Sequence, residues 1–152
     1  MKTRLNPFAA APGPMQQWLE LSKSIHQNGL ENSLVELVLT RASQINGCAA
    51  CLQMHTADAR KHGETEERLY LLDAWRESPL YTARERAALA WTEALTLLPQ
   101  THAPDDAYEA LRQYFSEEEQ VKLSLLIVVI NGWNRINVGF RVMPLGGERQ
   151  AA

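Results

Sequence analysis

Cys48, Cys51 and His55 carry the chemistry most legible in this sequence. Residues three and four apart on a helix share a face, so these three line up along one stripe and set a dithiol beside an imidazole. Chance alone would place two cysteines three residues apart in roughly 1% of chains of this length. Asn46-Gly47, immediately upstream, breaks any preceding helix and puts Cys48 at the start of a new one. The partial positive charge of a helix N-terminus favours a thiolate there and draws its ionisation well below the free value of about 8.5. The dipole favours Cys48 as nucleophile, whereas His55 is spaced to take the proton of Cys51. Spacing alone leaves the choice of sulfur open. Zinc is the rival chemistry, because Cys48, Cys51, His55 and either His62 or Glu36 count to four ligands. Three ligands along one straight stripe do not surround an ion tetrahedrally, so no metal is expected.

The elements that must hold this stripe are helical. No segment alternates apolar and polar residues with the period of two that a half-buried strand requires, so the fold class is all-α. The pattern predicts about six to seven helices, with the cysteine pair at the N-terminus of the third. They fall at about 14–28, 32–45, 48–62, 65–77, 82–98, 104–115 and 117–141. Thr82 with Glu85, and Ser116 with Glu119, have the spacing of capping boxes, while Gly29, Gly63, Pro79 and Pro99 read as stops. The first apolar face takes Met15, Trp18, Leu21 or Ser22, and Ile25; the second takes Leu34, Leu37, Val38, Leu39 and Ile45. The last helix reads as buried on most sides. Residues 1–13 read as an extended arm and 142–152, with Gly146-Gly147, as a tail, and no linker or repeat divides the 152 residues into more than one domain.

Composition narrows the partners. The chain is 45% hydrophobic and 22% charged with a net charge of −3 and no basic run, which is a globular composition without the electrostatic footprint of a nucleic-acid binder. The apolar run 121–130, interrupted by Lys122 and Ser124, is short of the roughly 20 residues of a membrane span, so no membrane is expected. Asn6, Pro7, Pro12 and Pro14 deny Lys2 and Arg4 the apolar stretch of a signal peptide. Two cysteines make no disulfide framework, and the expected compartment is the cytoplasm. No glycine-rich nucleotide fingerprint is present, so no bound cofactor is expected and electrons must come from outside the chain.

The stretch Arg41-Ala42-Ser43-Gln44-Ile45-Asn46-Gly47-Cys48-Ala49-Ala50-Cys51-Leu52-Gln53-Met54-His55, with Glu36 twelve residues before Cys48, resembles the core of the alkylhydroperoxidase D (AhpD)-like family of the carboxymuconolactone decarboxylase superfamily. The likeness continues through His62-Gly63-Glu64-Thr65, Trp75-Arg76-Glu77-Ser78-Pro79-Leu80-Tyr81 and Arg84-Glu85-Arg86-Ala87-Ala88-Leu89-Ala90, with an echo at Asn131-Gly132-Trp133-Asn134-Arg135. The resemblance implies one all-helical domain that assembles into homotrimers or homohexamers and reduces organic hydroperoxides in antioxidant defence. It makes Cys51 the peroxidatic cysteine that becomes a sulfenic acid, and Cys48 the proton donor that then closes the redox disulfide with it. Glu36 and His55 match the proton relay. Ala50 departs from the family pattern, in which a second histidine stands between the cysteines. A lipoyl- or thiol-bearing protein is the implied reductant, with a peroxiredoxin as the partner in an alternative role as redox adaptor; a decarboxylase-type lyase fits poorly, having no use for two cysteines.

Other residues have plainer readings. Ser33 and Glu36 have the spacing of a capping box, His62 sits near a helix end, and His26 and His102 read as surface residues. Trp18, Trp75, Trp91 and Trp133 read as core or subunit-interface packing, and Arg41, Asp58, Arg84 and Arg135 as ion pairs. Four tryptophans and an apolar last helix in so short a chain are more apolar surface than one small core covers, which independently predicts an oligomer.

Overall fold

The computed structural model describes residues 2–27 and 29–143, and every regular element among them is helical. The α-helices are α1 (Pro7–Ala10), α2 (Pro12–His26), α3 (Asn32–Ile45), α4 (Ala49–Lys61), α5 (Glu66–Leu71), α6 (Ala83–Thr96), α7 (Leu98–Thr101), α8 (Asp105–Tyr114) and α9 (Glu117–Phe140), with a 3₁₀ turn at Leu72–Ala74 after α5. The two beyond the expected number are one-turn helices, α1 and α7. They form where prolines read as an arm and as a stop. Pro7 and Pro12 open helices instead, since the first turn needs no N–H from them, and Asn6 Oδ1 caps α1 by accepting from Phe8 N at 3.0 Å and Ala9 N at 3.2 Å. Pro99 likewise sits in the first turn of α7. The predicted end of the first helix at Asn28 and the tail from 144 onward lie outside the described residues.

Helix α3 is the axle of the fold. Leu34, Val35, Val38, Leu39 and Ala42 enter the main core with Leu123, Leu126, Ile127 and Ile130 of α9 and Ala87, Ala88 and Trp91 of α6. Leu37, on another side of α3, joins Leu72, Trp75, Tyr81 and Leu89 in a second cluster. Helix α9, 24 residues long, meets the length and composition of a membrane span despite its interrupted apolar run. One of its faces is spent on this core. Val121, Leu125 and Val128, spaced along another face, are exposed, so the helix is less enclosed than the sequence implied.

Polar networks tie the helices together. Glu93 of α6 accepts from Trp75 Nε1 and Arg41 Nε, each at 2.8 Å, and pairs with Arg76; Arg41 also pairs with Asp73. Arg84 bridges Glu31 and Glu119, and Asp58 pairs with Lys61, whereas Arg135 donates to the Asn131 carbonyl and amide oxygens rather than to a carboxylate. Burial alone would raise the Glu93 carboxyl, but the hydrogen bonds from Trp75, Arg76 and Arg41 hold it below its ordinary 4.5. A carboxyl depressed in the native state adds stability that is complete above its unfolded value and lost as the pH falls through the native one. Glu93→Gln is therefore expected to cost about 3 kcal/mol near neutral pH, measured by urea unfolding, with the gap to wild type narrowing as the pH falls below the ordinary carboxylate range. A loss below about 0.5 kcal/mol would show that the network carries no stability.

Candidate active site

The turn between α3 and α4 places the cysteines. Gly47 adopts φ 65°, a conformation that costs a residue without Cβ little, and the chain turns sharply into α4. Asn46 pins this turn to α9: its Nδ2 donates to Asn131 Oδ1 at 3.0 Å and to Asn134 Oδ1 at 2.9 Å. Asn134 Nδ2 in turn donates to Ser43 Oγ at 3.0 Å, and Asn131 Nδ2 to Thr96 Oγ1 at 3.0 Å. Buried amides left unpaired are costly, so this set fixes the register of α9 against the turn.

Cys48 is the N-cap of α4, and its sulfur accepts from Cys51 N at 3.3 Å, the place a serine or aspartate oxygen would take. Cys51 lies in the first turn and forms a disulfide with Cys48 across a Cα–Cα separation of 5.4 Å. Both cysteines are 1% exposed. Asn137 of α9 donates through Nδ2 to Cys51 Sγ at 3.3 Å. One turn further along α4, His55 is buried, and its Nδ1 meets Glu36 Oε2 of α3 at 3.0 Å. A carboxylate only accepts, so Nδ1 carries the proton and donates it. His55 Nε2 is then a bare lone pair, buried and with no hydrogen-bond partner among the described residues.

Cys51, His55 and Glu36 line one cavity of about 480 Å³, walled by Leu39, Met54, Val129, Ile130, Phe8 and Trp133. Cys48 adjoins a different recess, of about 570 Å³, with Ala50, Arg4 and Arg141; Asn137 lines both. The two cysteines thus adjoin different cavities.

All four residues singled out in the sequence meet here: Glu36, Cys48, Cys51 and His55. Glu36 is no cap, since α3 starts from Glu31 without a side-chain cap and Glu36 is buried against His55. His62 stands exposed at the far end of α4, and His102 is exposed at the end of α7. The four-ligand zinc set of cysteines, His55 and His62 therefore does not converge. His26 is a correction: it is half-buried inside the cavity, its ring 6.2 Å from that of His55 and inclined by 14°. Ligand-type atoms of His26, Glu36 and His55 lie within 4.8 Å of one another. Glu36 already accepts from His55 Nδ1, and His26 Nδ1 faces the Ser22 carbonyl oxygen at 3.3 Å, so the three are neighbours and not a set of free lone pairs converging on a cation.

Two residues of the site escaped sequence reasoning. His26 follows Ser22 by one turn on the edge of the α2 face that packs inward, a signal that was there to use. Asn137 had none. Among the tryptophans, Trp75 and Trp91 are core, while Trp133 lines the cavity and donates to Ser22 Oγ at 2.8 Å. Gly132 allows the Trp18 ring to lie against α9, where a Cβ would come within 2.4 Å of it.

Comparison with known proteins agrees with this architecture. Residues 12–94 match the model of the carboxymuconolactone decarboxylase family. The uncharacterized protein YdfG of Bacillus subtilis (strain 168) is 43% identical over 138 residues, 91% of this chain and 94% of its own. The structure of ATU0492 from Agrobacterium tumefaciens, described as a protein of unknown function and a candidate antioxidant defence protein AhpD, superposes with a TM-score of 0.92 at 46% identity, over 94% of this chain and 98% of that one. An uncharacterized peroxidase-related protein from Ralstonia eutropha JMP134, described as an alkylhydroperoxidase AhpD core, shares the fold alone, with a TM-score of 0.78 at 18% identity over 90% of this chain and 73% of that one. With more than half its length matched to the family and a near relative aligned almost end to end, this chain belongs to the carboxymuconolactone decarboxylase family and has the AhpD-like fold.

Proposed function

We propose that the protein is a thiol-dependent peroxidase that reduces organic hydroperoxides. The observation that carries this reading is the position of Cys51: paired with Cys48, it lines an apolar cavity together with a histidine held by a buried carboxylate. In the reduced state Cys51 gives its proton to the bare Nε2 of His55, and Glu36 offsets the charge the imidazolium then carries. The Cys51 thiolate attacks the terminal peroxide oxygen, the O–O bond breaks, and the alkoxide leaves with a proton as the alcohol. Cys48 then attacks the sulfenic sulfur, water departs, and the disulfide forms. Two electrons and two protons from an external dithiol, lipoyl- or protein-borne, restore both thiols. Apolar walls favour an organic peroxide over hydrogen peroxide. In this reading the protein works in the cytoplasm, as an oligomer whose contacts cover the exposed Val121, Leu125 and Val128.

The test is a thiol count. One equivalent of an organic hydroperoxide, in metal-chelated buffer, is expected to remove both thiols of the reduced chain, and dithiothreitol to restore them. Thiols that stay inert under these conditions would sink the peroxidase reading. The separate recess beside Cys48, with Arg4 and Arg141, favours a second reading in which the dithiol mainly reduces another protein, such as a peroxiredoxin. Peroxide turnover that is slow alone and fast only with such a partner would select it.

A further inference from the structure

The Glu36–His55 pair takes the proton of Cys51, but it is enclosed, while the alkoxide that must receive a proton forms in the open cavity. His26 is the more open neighbour of that pair on the same cavity. It lines the cavity from α2, is half-buried rather than sealed, and carries a ligand-type atom within 4.8 Å of those of both Glu36 and His55. That is within the reach of one bridging water. Its Nδ1 lies 3.3 Å from the Ser22 carbonyl oxygen, which can only accept, so Nδ1 is a donor and Nε2 is left to exchange protons. Ser22 is itself fixed, accepting from Trp133 Nε1 at 2.8 Å, so the ring is aimed by α2 and α9 together. Ala49 and Ala50, the residues between the two cysteines, have no proton to offer.

We propose that His26 is a second histidine of the reaction: the general acid that protonates the alkoxide leaving from an organic hydroperoxide. The proposal rests on the peroxidase reading. Cys51 attacks the terminal oxygen, the O–O electron pair goes to the departing oxygen, and His26 Nε2 delivers a proton to it as the alcohol forms. His26 is recharged with the proton that Cys51 gave to the Glu36–His55 pair, so the step consumes one hydroperoxide and no net proton.

General-acid action predicts a dependence on the leaving group that a structural role does not. Single-turnover oxidation of reduced protein is followed with tert-butyl hydroperoxide, which expels an alkoxide, and with peroxyacetic acid, whose acetate needs no proton. His26→Ala and His26→Gln are expected to slow the alkyl hydroperoxide by about 10²-fold and the peracid by less than about threefold. Imidazole added to His26→Ala is expected to restore the alkyl hydroperoxide rate in a saturable way, the vacated space being open to the cavity. Equal losses with both oxidants, absence of rescue, or a requirement for a divalent metal ion overturns the proposal. If wild type reacts with neither oxidant, the peroxidase reading itself falls. If wild type reacts and only the leaving-group pattern is missing, that reading stands and His26 alone is excluded. Should His26→Ala fold poorly, His26→Gln, which keeps the volume and loses the acid, carries the comparison.

Discussion

Cys51→Ser is expected to end hydroperoxide turnover, with a fall of about four orders of magnitude or more in the steady-state rate with a dithiol donor. Serine occupies nearly the same volume, its oxygen can accept from Asn137 Nδ2, and the residue is enclosed in a well-packed first turn of α4, so the variant keeps the fold. What it loses is the nucleophile: a hydroxyl does not ionise beside an imidazole as a thiol does, and oxygen makes no sulfenic acid. Cys48→Ser is the informative contrast. It is expected to leave Cys51 able to attack once and then stranded as a sulfenic acid, which dimedone traps on Cys51. Turnover of Cys51→Ser within about tenfold of wild type would remove this sulfur from the chemistry. A dimedone adduct on Cys48 of wild-type protein would exchange the roles of the two cysteines.

The fold was most legible where local chemistry has one meaning. The predicted bounds of α3 agree with the structure because Asn46-Gly47 permits nothing but a break, and both capping boxes, Thr82 with Glu85 and Ser116 with Glu119, form with reciprocal hydrogen bonds. Proline has two meanings, because it breaks a helix from inside and starts one from the first turn: Pro14 and Pro104 read as starts, but Pro7 and Pro12 read as an arm and Pro99 as a stop. Pro7, Pro12 and Pro99 all took the second role. The run of branched residues in α9 told that the helix is apolar but not how much of it the chain covers, which depends on where α2, α3 and α6 stand.

The site divides along the same line. Cys48, Cys51 and His55 belong to one helix terminus, so a spacing rule brings them together. Glu36 comes from the preceding helix, and its local spacing to Ser33 argued for a cap; only the resemblance to a family argued for the relay. His26 and Asn137 come from α2 and α9. Their approach is set by the packing of Ser22 against Trp133, of Gly132 against Trp18, and of Asn46 against Asn131 and Asn134. These are contacts between segments more than 80 residues apart, and no periodicity along one segment encodes them.

Glu36→Gln isolates what the buried carboxylate contributes. Glutamine fits the same space and can still accept from His55 Nδ1 through its amide oxygen, so the side chain remains hydrogen-bonded and the packing of α3 against α4 survives. The amide is neutral, however, and cannot offset the charge His55 gains when it takes the thiol proton in a site from which water is largely excluded. It can also turn its NH₂ toward Nδ1, which moves the ring proton to Nε2 and removes the acceptor for the thiol proton. Both effects act on the step in which Cys51 ionises, and neither acts on the later attack of an external dithiol on the disulfide. The variant is therefore expected to lose about 10²- to 10³-fold in the single-turnover rate with an organic hydroperoxide, while its oxidised form is reduced by dithiothreitol within about threefold of the wild-type rate. A drop in both half-reactions would mean that the substitution disturbs the cysteine pair itself. An unchanged oxidative half-reaction would mean that His55 needs no carboxylate, and that Glu36 is buried for packing alone.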